Sequence, residues 1–200
     1  MTMISIRTIL LNLTLVVLVS ACTAQPPATQ DRYYRISVGQ PSAAGTILSG
    51  TLVMEPFVAE GLVAGRAIIH VESEDSTSLQ EYNYDFWAEP PGIMIRDELM
   101  AYLRDANVAG AIVTPEMRAQ ADYILSGHVS RLEMVRGPEP KAYVELDIAV
   151  TKDSNGKVVM VKSYGLSVAA SDGTVKAGVA AANQGIEAIF EQFLKDLNGG

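Results

Sequence analysis

Residues 143–168 read YVELDIAVTKDSNGKVVMVKSYGLSV, and this stretch decides the fold. Apolar residues alternate with polar ones from Val144 to Val150, which is the period of a strand with one buried face. Asn155-Gly156 follows, and both residues tolerate the positive φ that a tight hairpin turn needs. Residues 158–168 then return as a second strand. The stretch therefore predicts an antiparallel hairpin with one face against a core.

The flanking segments extend this hairpin into a layered domain. Upstream, residues 123–134 alternate as a strand, but the alternation changes parity near Ser130-Arg131, which predicts a β-bulge. Downstream, residues 174–197 carry an apolar stripe at helical spacing, and Gly199 is expected just past the helix end. We therefore expect a three-stranded meander with one face covered by a C-terminal helix.

Residues 33–117 predict four more strands, a second helix and a short edge strand. The strands are expected at residues 33–38, 51–54, 66–72 and 79–87, the last two forming a hairpin. A helix of residues 95–106 follows the Pro90-Pro91-Gly92 break, then a short edge strand at 111–113 and a single turn at 115–117. The predicted class is α/β (α+β): a mixed, largely antiparallel sheet with the C-terminal helix and a second helix packed on it, as a two-layer sandwich.

The N-terminus has the parts of a lipoprotein signal peptide. Arg7 is the only charge before an apolar run of about 11 residues, which is too short to span a bilayer. The run ends in Val19-Ser20-Ala21-Cys22, the pattern of a lipobox. We expect cleavage between Ala21 and Cys22, which removes residues 1–21, and attachment of a diacylglycerol with palmitate-type chains to Cys22. The alternative is an ordinary signal peptide followed by a chance cysteine.

The residues after Cys22 predict a flexible tether and the membrane in which the protein is anchored. Residues 22–31 are polar, contain proline and lack an apolar period, so we expect them to link the lipid to a domain of residues 32–200. Thr23 stands where enteric-type bacteria place Asp to retain a lipoprotein in the inner membrane. The expected location is therefore the periplasmic side of the outer membrane, with the inner membrane as the less favoured alternative.

Composition narrows the set of partners. The chain carries 15 basic and 23 acidic residues, for a net charge of −8. An acidic surface argues against nucleic acid and against attraction of anionic lipid headgroups by overall charge. Cys22 is the only cysteine, which suits an oxidising compartment if its thiol is acylated.

The sequence offers no specific catalytic motif. It lacks Gly-x-Ser-x-Gly, and its two histidines, His70 and His128, lie in predicted strands, where a histidine is most often a half-exposed polar residue. Residues 171–176 lack the spacing of a phosphate-binding loop, and no cluster has metal-ligand spacing. We therefore predict no enzyme, no cofactor and no metal site, although a carboxylate pair of the glycosidase type stays open.

The segment Trp87-Ala88-Glu89-Pro90-Pro91 has two interpretations. In the first, it ends a strand and its aromatic ring packs beneath a proline turn. In the second, Trp87, Glu89, Pro90 and Pro91 form a rigid, partly exposed surface that receives a partner, since prolines lower the entropic cost of ordering.

The order of several motifs resembles a known family. The motifs are the lipobox, a Tyr-Tyr-Arg-Ile strand from Tyr33, Val58 to Arg66 with the pattern Val-x-x-Gly-Leu-x-x-Gly-Arg, Trp87 to Pro91, and Ala121-Asp122-Tyr123-Ile124-Leu125. In this order and spacing the chain is similar to the ABC-type transport auxiliary lipoproteins. The resemblance covers nearly all of the chain after Cys22.

The resemblance implies an accessory role in transport. Such proteins accompany ABC transporter permease and ATPase complexes together with an MCE-domain (mammalian cell entry type) protein, and these systems move lipids or other hydrophobic molecules between the two membranes. Only Cys22 then has a defined chemical role, as the lipid anchor. A lipid-binding periplasmic module, a structural envelope-assembly lipoprotein and a homo-oligomer all remain open at this point.

Overall fold

A computed structural model describes residues 28–199, of which those from Asp31 onward belong to one compact unit. Nine strands and two α-helices make up this unit. The strands are β1 (Arg32–Tyr34), β2 (Leu48–Met54), β3 (Val58–Ala59), β4 (Ala67–Val71), β5 (Gln80–Trp87), β6 (Ala109–Val113), β7 (Tyr123–Val135), β8 (Lys141–Lys152) and β9 (Val158–Ala169). The helices are α1 (Pro91–Asp105) and α2 (Val175–Gly199), and short 3-10 turns cover Gly61–Ala64 and Pro115–Met117.

The long strand β7 organises the sheet. On one side it pairs antiparallel with β8 over nearly its whole length, and β8 pairs antiparallel with β9. On its other side it pairs parallel with three strands in turn: β2 near its start, β3 in its middle and β4 near its end. The register of β7 against β8 shifts between Val129 and Arg131. This bulge confirms the break in alternation predicted there, and a bulge bends a strand and increases its twist.

The hairpin and helix predictions are confirmed. Val144, Leu146, Ile148 and Val150 are all fully buried, and Gly156 has φ of 65° in the turn before β9. The helix α2 begins after Thr174, whose Oγ1 accepts a hydrogen bond from the Ala177 backbone N–H at 3.2 Å. A threonine in this position satisfies a donor that has no partner inside the helix.

Several local predictions need correction. The first strand ends at Tyr34 and does not reach residue 38, the pairing strand β3 was not predicted, and α2 includes Gly199, which was expected beyond its end. The sheet is mixed as predicted, and its longest pairings, β7–β8 and β8–β9, are antiparallel, although five of the eight strand pairings within residues 28–199 are parallel. Parallel pairing joins segments that are distant in sequence, so local periodicity carries no signal for it.

The core lies between the sheet and the two helices. Ile186, Ile189, Phe190 and Phe193 of α2 have no exposed surface and face the buried side chains of β8. Ile95, Leu99 and Leu103 of α1 are equally buried. The structure thus confirms the predicted two-layer α+β class. Among the described residues, we find no helix with the length and apolar character needed to cross a membrane.

Candidate partner-docking site

The Trp87–Pro91 segment joins β5 to α1, and most of it is buried. Trp87 is only 2% exposed and Pro91 is also buried, whereas Glu89 is exposed and Pro90 is partly exposed. The aromatic ring is therefore part of the core. Of the four residues proposed for a partner surface, Glu89 and Pro90 are the ones that reach solvent.

Hydrogen bonds on two sides hold the backbone of Trp87 and Ala88 in place. The Trp87 N–H donates to the carbonyl oxygen of Arg66 at 2.7 Å, and the Arg66 Nε donates to the Trp87 carbonyl oxygen at 3.2 Å. The Ala88 N–H donates to the carbonyl oxygen of Tyr34 at 2.7 Å. The turn that carries Glu89 is therefore attached to both β1 and the start of β4.

The two prolines and a glycine set the start of α1. Pro90 occupies the N-cap position, and its carbonyl oxygen accepts hydrogen bonds from Ile93 and Met94. Pro91 is the first helical residue, where a missing N–H costs nothing. A Cβ at Gly92 would lie 2.4 Å from the backbone oxygen of Phe57, so only glycine allows this close approach. These contacts give the turn a defined orientation.

An open cleft of about 400 Å³ adjoins Glu89, and we call it the α1 cleft. Its lining residues are Arg35, Ile36, Ala88, Glu89, Met94, Asp97 and Glu98. Three carboxylates against one arginine make the cleft acidic. Arg96 donates to Asp97 at 2.7 Å and neutralises part of that charge. The geometry suits a partner that offers basic or hydrogen-bond-donating side chains.

Behind the turn, a buried carboxylate links β1 to β5. Asp85 is 3% exposed and accepts two hydrogen bonds from Arg32, each of 2.7 Å, and one from the Tyr34 hydroxyl at 2.9 Å. Burial alone would raise the pKa of the Asp85 carboxyl, but the hydrogen bonds from Arg32 and Tyr34 outweigh burial and hold that pKa below its usual value. The network fixes the first residues of the domain against β5.

We expect Asp85→Asn to lower the free energy of unfolding at pH 7 by about 1.5–3 kcal/mol, the usual value of hydrogen bonds to a charged group. The pKa of Asp85 is lower in the folded than in the unfolded state, so its stabilisation is present above the unfolded pKa and is lost as pH falls through the folded pKa. Urea unfolding at pH 7 and pH 3 should therefore show the gap between wild type and variant shrinking in acid. The exposed Asp75→Asn variant is the control, and an equal gap at both pH values would contradict the network.

The two histidines, His70 and His128, lie in different environments. His70 is buried against the ring of Tyr82, and none of the described residues gives its Nδ1 a hydrogen bond. Burial and then the charge of Arg136 lower the pKa of His70, although Glu72 acts in the opposite direction. His70 is therefore a neutral core residue at neutral pH and not the half-exposed strand residue that the sequence suggested.

His128 belongs to a polar row across β7, β8 and β9. Its Nδ1 lies 3.1 Å from the Ser130 hydroxyl, which donates to Asp147 at 3.0 Å, and Ser163 also donates to Asp147. The hydrogen bond from Ser163 is the main cause of the lowered pKa of Asp147. In a catalytic triad the histidine lies between serine and carboxylate. Here one ring nitrogen, Nδ1, faces both groups, 3.1 Å from the Ser130 hydroxyl and 3.6 Å from Asp147 Oδ2, so the row differs from that arrangement.

Two other kinds of site are relevant to the sequence: a metal site and the processing site at Ala21 and Cys22. Within residues 28–199, no three His, Asp or Glu side chains converge as metal ligands would. Ala21 and Cys22 precede the described residues, and their cleavage and lipidation stay predictions. The Arg32–Asp85–Tyr34 network had no signal in the sequence, because Asp85 is more than 50 positions from both Arg32 and Tyr34.

Solved structures share this fold. Protein XCC0632 from Xanthomonas campestris superposes with a TM-score of 0.71 at 22% identity, and the match covers 82% of this chain and 92% of that one. An uncharacterized protein of known structure gives a TM-score of 0.66 at 15% identity, with 84% and 99% coverage. At these identities the matches establish the fold alone. No curated protein sequence matches the chain at a significant level.

The chain also matches the sequence model of a protein family. The model of the ABC-type transport auxiliary lipoprotein component matches residues 17–193, which include Cys22, residues 23–31 and nearly the whole described domain. A match of this extent places the motif order noted in the sequence within one family. The chain therefore belongs to the ABC-type transport auxiliary lipoprotein component family.

Proposed function

We propose that this protein is a lipid-anchored adaptor in an ABC-type system that moves phospholipids or other hydrophobic molecules between the inner and outer membranes. The observation that carries the proposal is the family match over residues 17–193, because it joins the lipobox and the folded domain in one transport-associated unit. The protein itself would neither hydrolyse ATP nor catalyse a reaction. Its task would be to hold other components at a membrane.

The filled interior favours an adaptor over a carrier. A carrier needs an apolar cavity for acyl chains, since each CH₂ exposed to water costs about 0.8 kcal/mol. In this domain, Phe190 and Phe193 occupy the space between α2 and the sheet and have no exposed surface. The lipid path would then run through a partner, and this domain would support its end.

The partner would be an MCE-domain protein, which with the permease and ATPase completes the proposed system. The α1 cleft and the turn at Glu89 and Pro90 provide a rigid acidic surface for such a contact. Trp87 and Pro91 would support that surface from beneath. The anchor at Cys22 would hold it at the periplasmic side of the outer membrane, as Thr23 indicates.

Affinity purification of the lipidated protein from envelope extracts tests this proposal. Recovery of an MCE-domain protein with a permease would support it. Recovery of only peptidoglycan-associated or porin partners would favour a structural envelope-assembly lipoprotein instead. Neighbouring genes give a second test, because the transport role predicts MCE, permease and ATPase genes beside this one.

A lipid-binding role is the second candidate, and one cleft favours it. An opening of about 430 Å³ near the C-terminal end of α2 is lined by Leu48, Met160 and Leu197, with Lys152 and Lys195 among its polar residues. Apolar walls near lysines could accept part of a lipid. Native mass spectrometry of the purified protein would show a co-purifying lipid if this role is correct and none if the domain is only an adaptor.

Strand β9 is the proposed contact surface of a homo-oligomer. Within the described residues it pairs with β8 alone, and its apolar Val158, Val159, Val161 and Leu166 are exposed. A long edge strand with a single charge, Lys162, lacks the charges that normally block strand addition.

We expect Val161→Lys to convert an oligomer into a monomer without changing thermal unfolding, because the side chain is exposed. Light scattering after size-exclusion chromatography in detergent measures the mass, and Met117→Lys, on another exposed residue, is the matched control. An identical oligomer in wild type and the Val161 variant would exclude β9 as the contact.

A further inference from the structure

A cluster of exposed aromatic residues lies where the domain begins. Tyr33 of β1 is 58% exposed and Tyr84 of β5 is 45% exposed. The ring centroid of Tyr33 lies 5.8 Å from that of the half-buried Phe86, and strand alternation places Tyr84 on the face of Phe86. We call these three residues the aromatic patch. Tyrosine at such a surface offers an apolar ring and a polar hydroxyl to two different surroundings.

One arginine borders the patch in an otherwise acidic protein. The guanidinium of Arg66 lies 5.4 Å from the centroid of the Tyr33 ring, in a cation–π arrangement. Asp31, which accepts a hydrogen bond from the Tyr33 hydroxyl at 3.3 Å, is the nearby acid. The patch thus combines aromatic rings with a cation, although the whole chain has a net charge of −8.

The aromatic patch is close in sequence to the predicted lipid anchor at Cys22. Strand β1 is the edge strand at one end of the sheet, and the chain runs from it back to Cys22. Nine residues lie between Cys22 and Arg32. This segment spans at most about 35 Å when fully extended. An acylated Cys22 would therefore keep the patch near a bilayer throughout the life of the protein.

The chemistry of the patch matches the membrane–water interface. Tyrosine is enriched at the level of lipid headgroups, where its ring contacts acyl chains and its hydroxyl contacts water. Arginine at the same depth can hydrogen-bond to lipid phosphates. We propose that Tyr33, Tyr84 and Phe86, with Arg66, form a membrane-contact surface that orients the anchored domain against the phospholipid headgroups. The proposal rests on the lipid anchor of the proposed function.

Tryptophan fluorescence tests the contact in the full lipidated protein. The chain has one tryptophan, Trp87, and its burial shields it from quenchers in either phase. A Tyr33→Trp variant is reconstituted into phosphatidylcholine vesicles whose acyl chains carry bromine near the headgroup. We expect the new tryptophan to show a blue shift and a loss of emission intensity that wild type does not show.

A matched control places the tryptophan elsewhere. Met117 is 59% exposed and follows β6, at the other end of the sheet order, so Met117→Trp should show neither change. Equal emission of the Tyr33 and Met117 variants in brominated and ordinary vesicles would overturn the proposal. Quenching of both variants alike would also overturn it, since contact would then not be confined to the patch.

Flotation of the vesicles distinguishes failure of the lipid anchor from failure of the membrane-contact surface alone. If the protein does not float with the vesicles and mass spectrometry finds no lipid on Cys22, the anchor and the proposed function fail together. If it floats through an acylated Cys22 while the Tyr33→Trp emission is unchanged, only the membrane-contact surface fails.

Discussion

Replacing Cys22 by serine is expected to move the protein from the membrane fraction to the soluble periplasm. Serine has no thiol for the thioether bond, so neither the diacylglycerol nor the later acyl chain can be attached. Two or more acyl chains give stable anchoring, whereas the described domain contains no helix that could span a bilayer. The expected change is close to complete, because the remaining membrane contact, the aromatic patch, lacks the acyl chains that hold the protein there.

Fractionation of cells, followed by mass measurement of the purified protein, checks this result. Thr23→Asp is the matched control, since it keeps the acylated cysteine and should change only the choice of membrane in a bacterium that uses that sorting rule. The anchor would be disproved if Cys22→Ser stayed with the membranes after washes with high salt and carbonate. Loss of transport by the soluble Cys22→Ser protein at normal abundance would connect the anchor with function.

The second large effect concerns stability. Trp87→Ala is expected to cost about 3–5 kcal/mol, because it removes a buried aromatic ring from the core and leaves a cavity. For a domain of this size, each kcal/mol shifts the melting temperature by a few degrees, so the loss amounts to roughly 10 °C. Circular dichroism is the suitable probe, since the variant has no tryptophan.

Glu89→Arg is the contrasting variant for the same segment. Glu89 is exposed, so the substitution should leave the melting temperature within about 1–2 °C of wild type, as surface changes usually do. It reverses a charge beside the α1 cleft, and we expect it to reduce co-purification of the proposed MCE-domain partner. If Glu89→Arg recovers the partner as well as wild type does, the docking surface does not include this turn. A stable Trp87→Ala protein would contradict the role of the ring in packing.

Local patterns predicted much of the fold. The alternation from Val144 to Val150, the Asn155-Gly156 turn and the apolar stripe of the last helix each depend on neighbours within a few residues. Such periodicity determines which face of an element is buried. The β7 bulge was also predictable, because a change of parity in one strand is itself a local signal.

The candidate site was predictable only in part. The Trp87–Pro91 segment was recognised as unusual, but its sequence fits a packed turn as well as an exposed surface. Burial of Trp87 and Pro91 depends on β1, β4 and α1, which come together only in the folded domain. The Asp85 network and the aromatic patch depend on the parallel pairing of β1 with β5, two segments about 50 positions apart.

The amino-acid sequence by itself determined the meander, the helix stripe and the family, and it predicts the lipobox. These features are encoded by adjacent residues or by residues one turn or one pleat apart. Only the tertiary structure decided that Trp87 is a core residue, that His70 is a neutral core residue, and that Tyr33 and Phe86 share a face. The physical reason is that burial and charge environment depend on which distant strands lie side by side, and in this sheet most pairings of the first six strands are parallel and non-local.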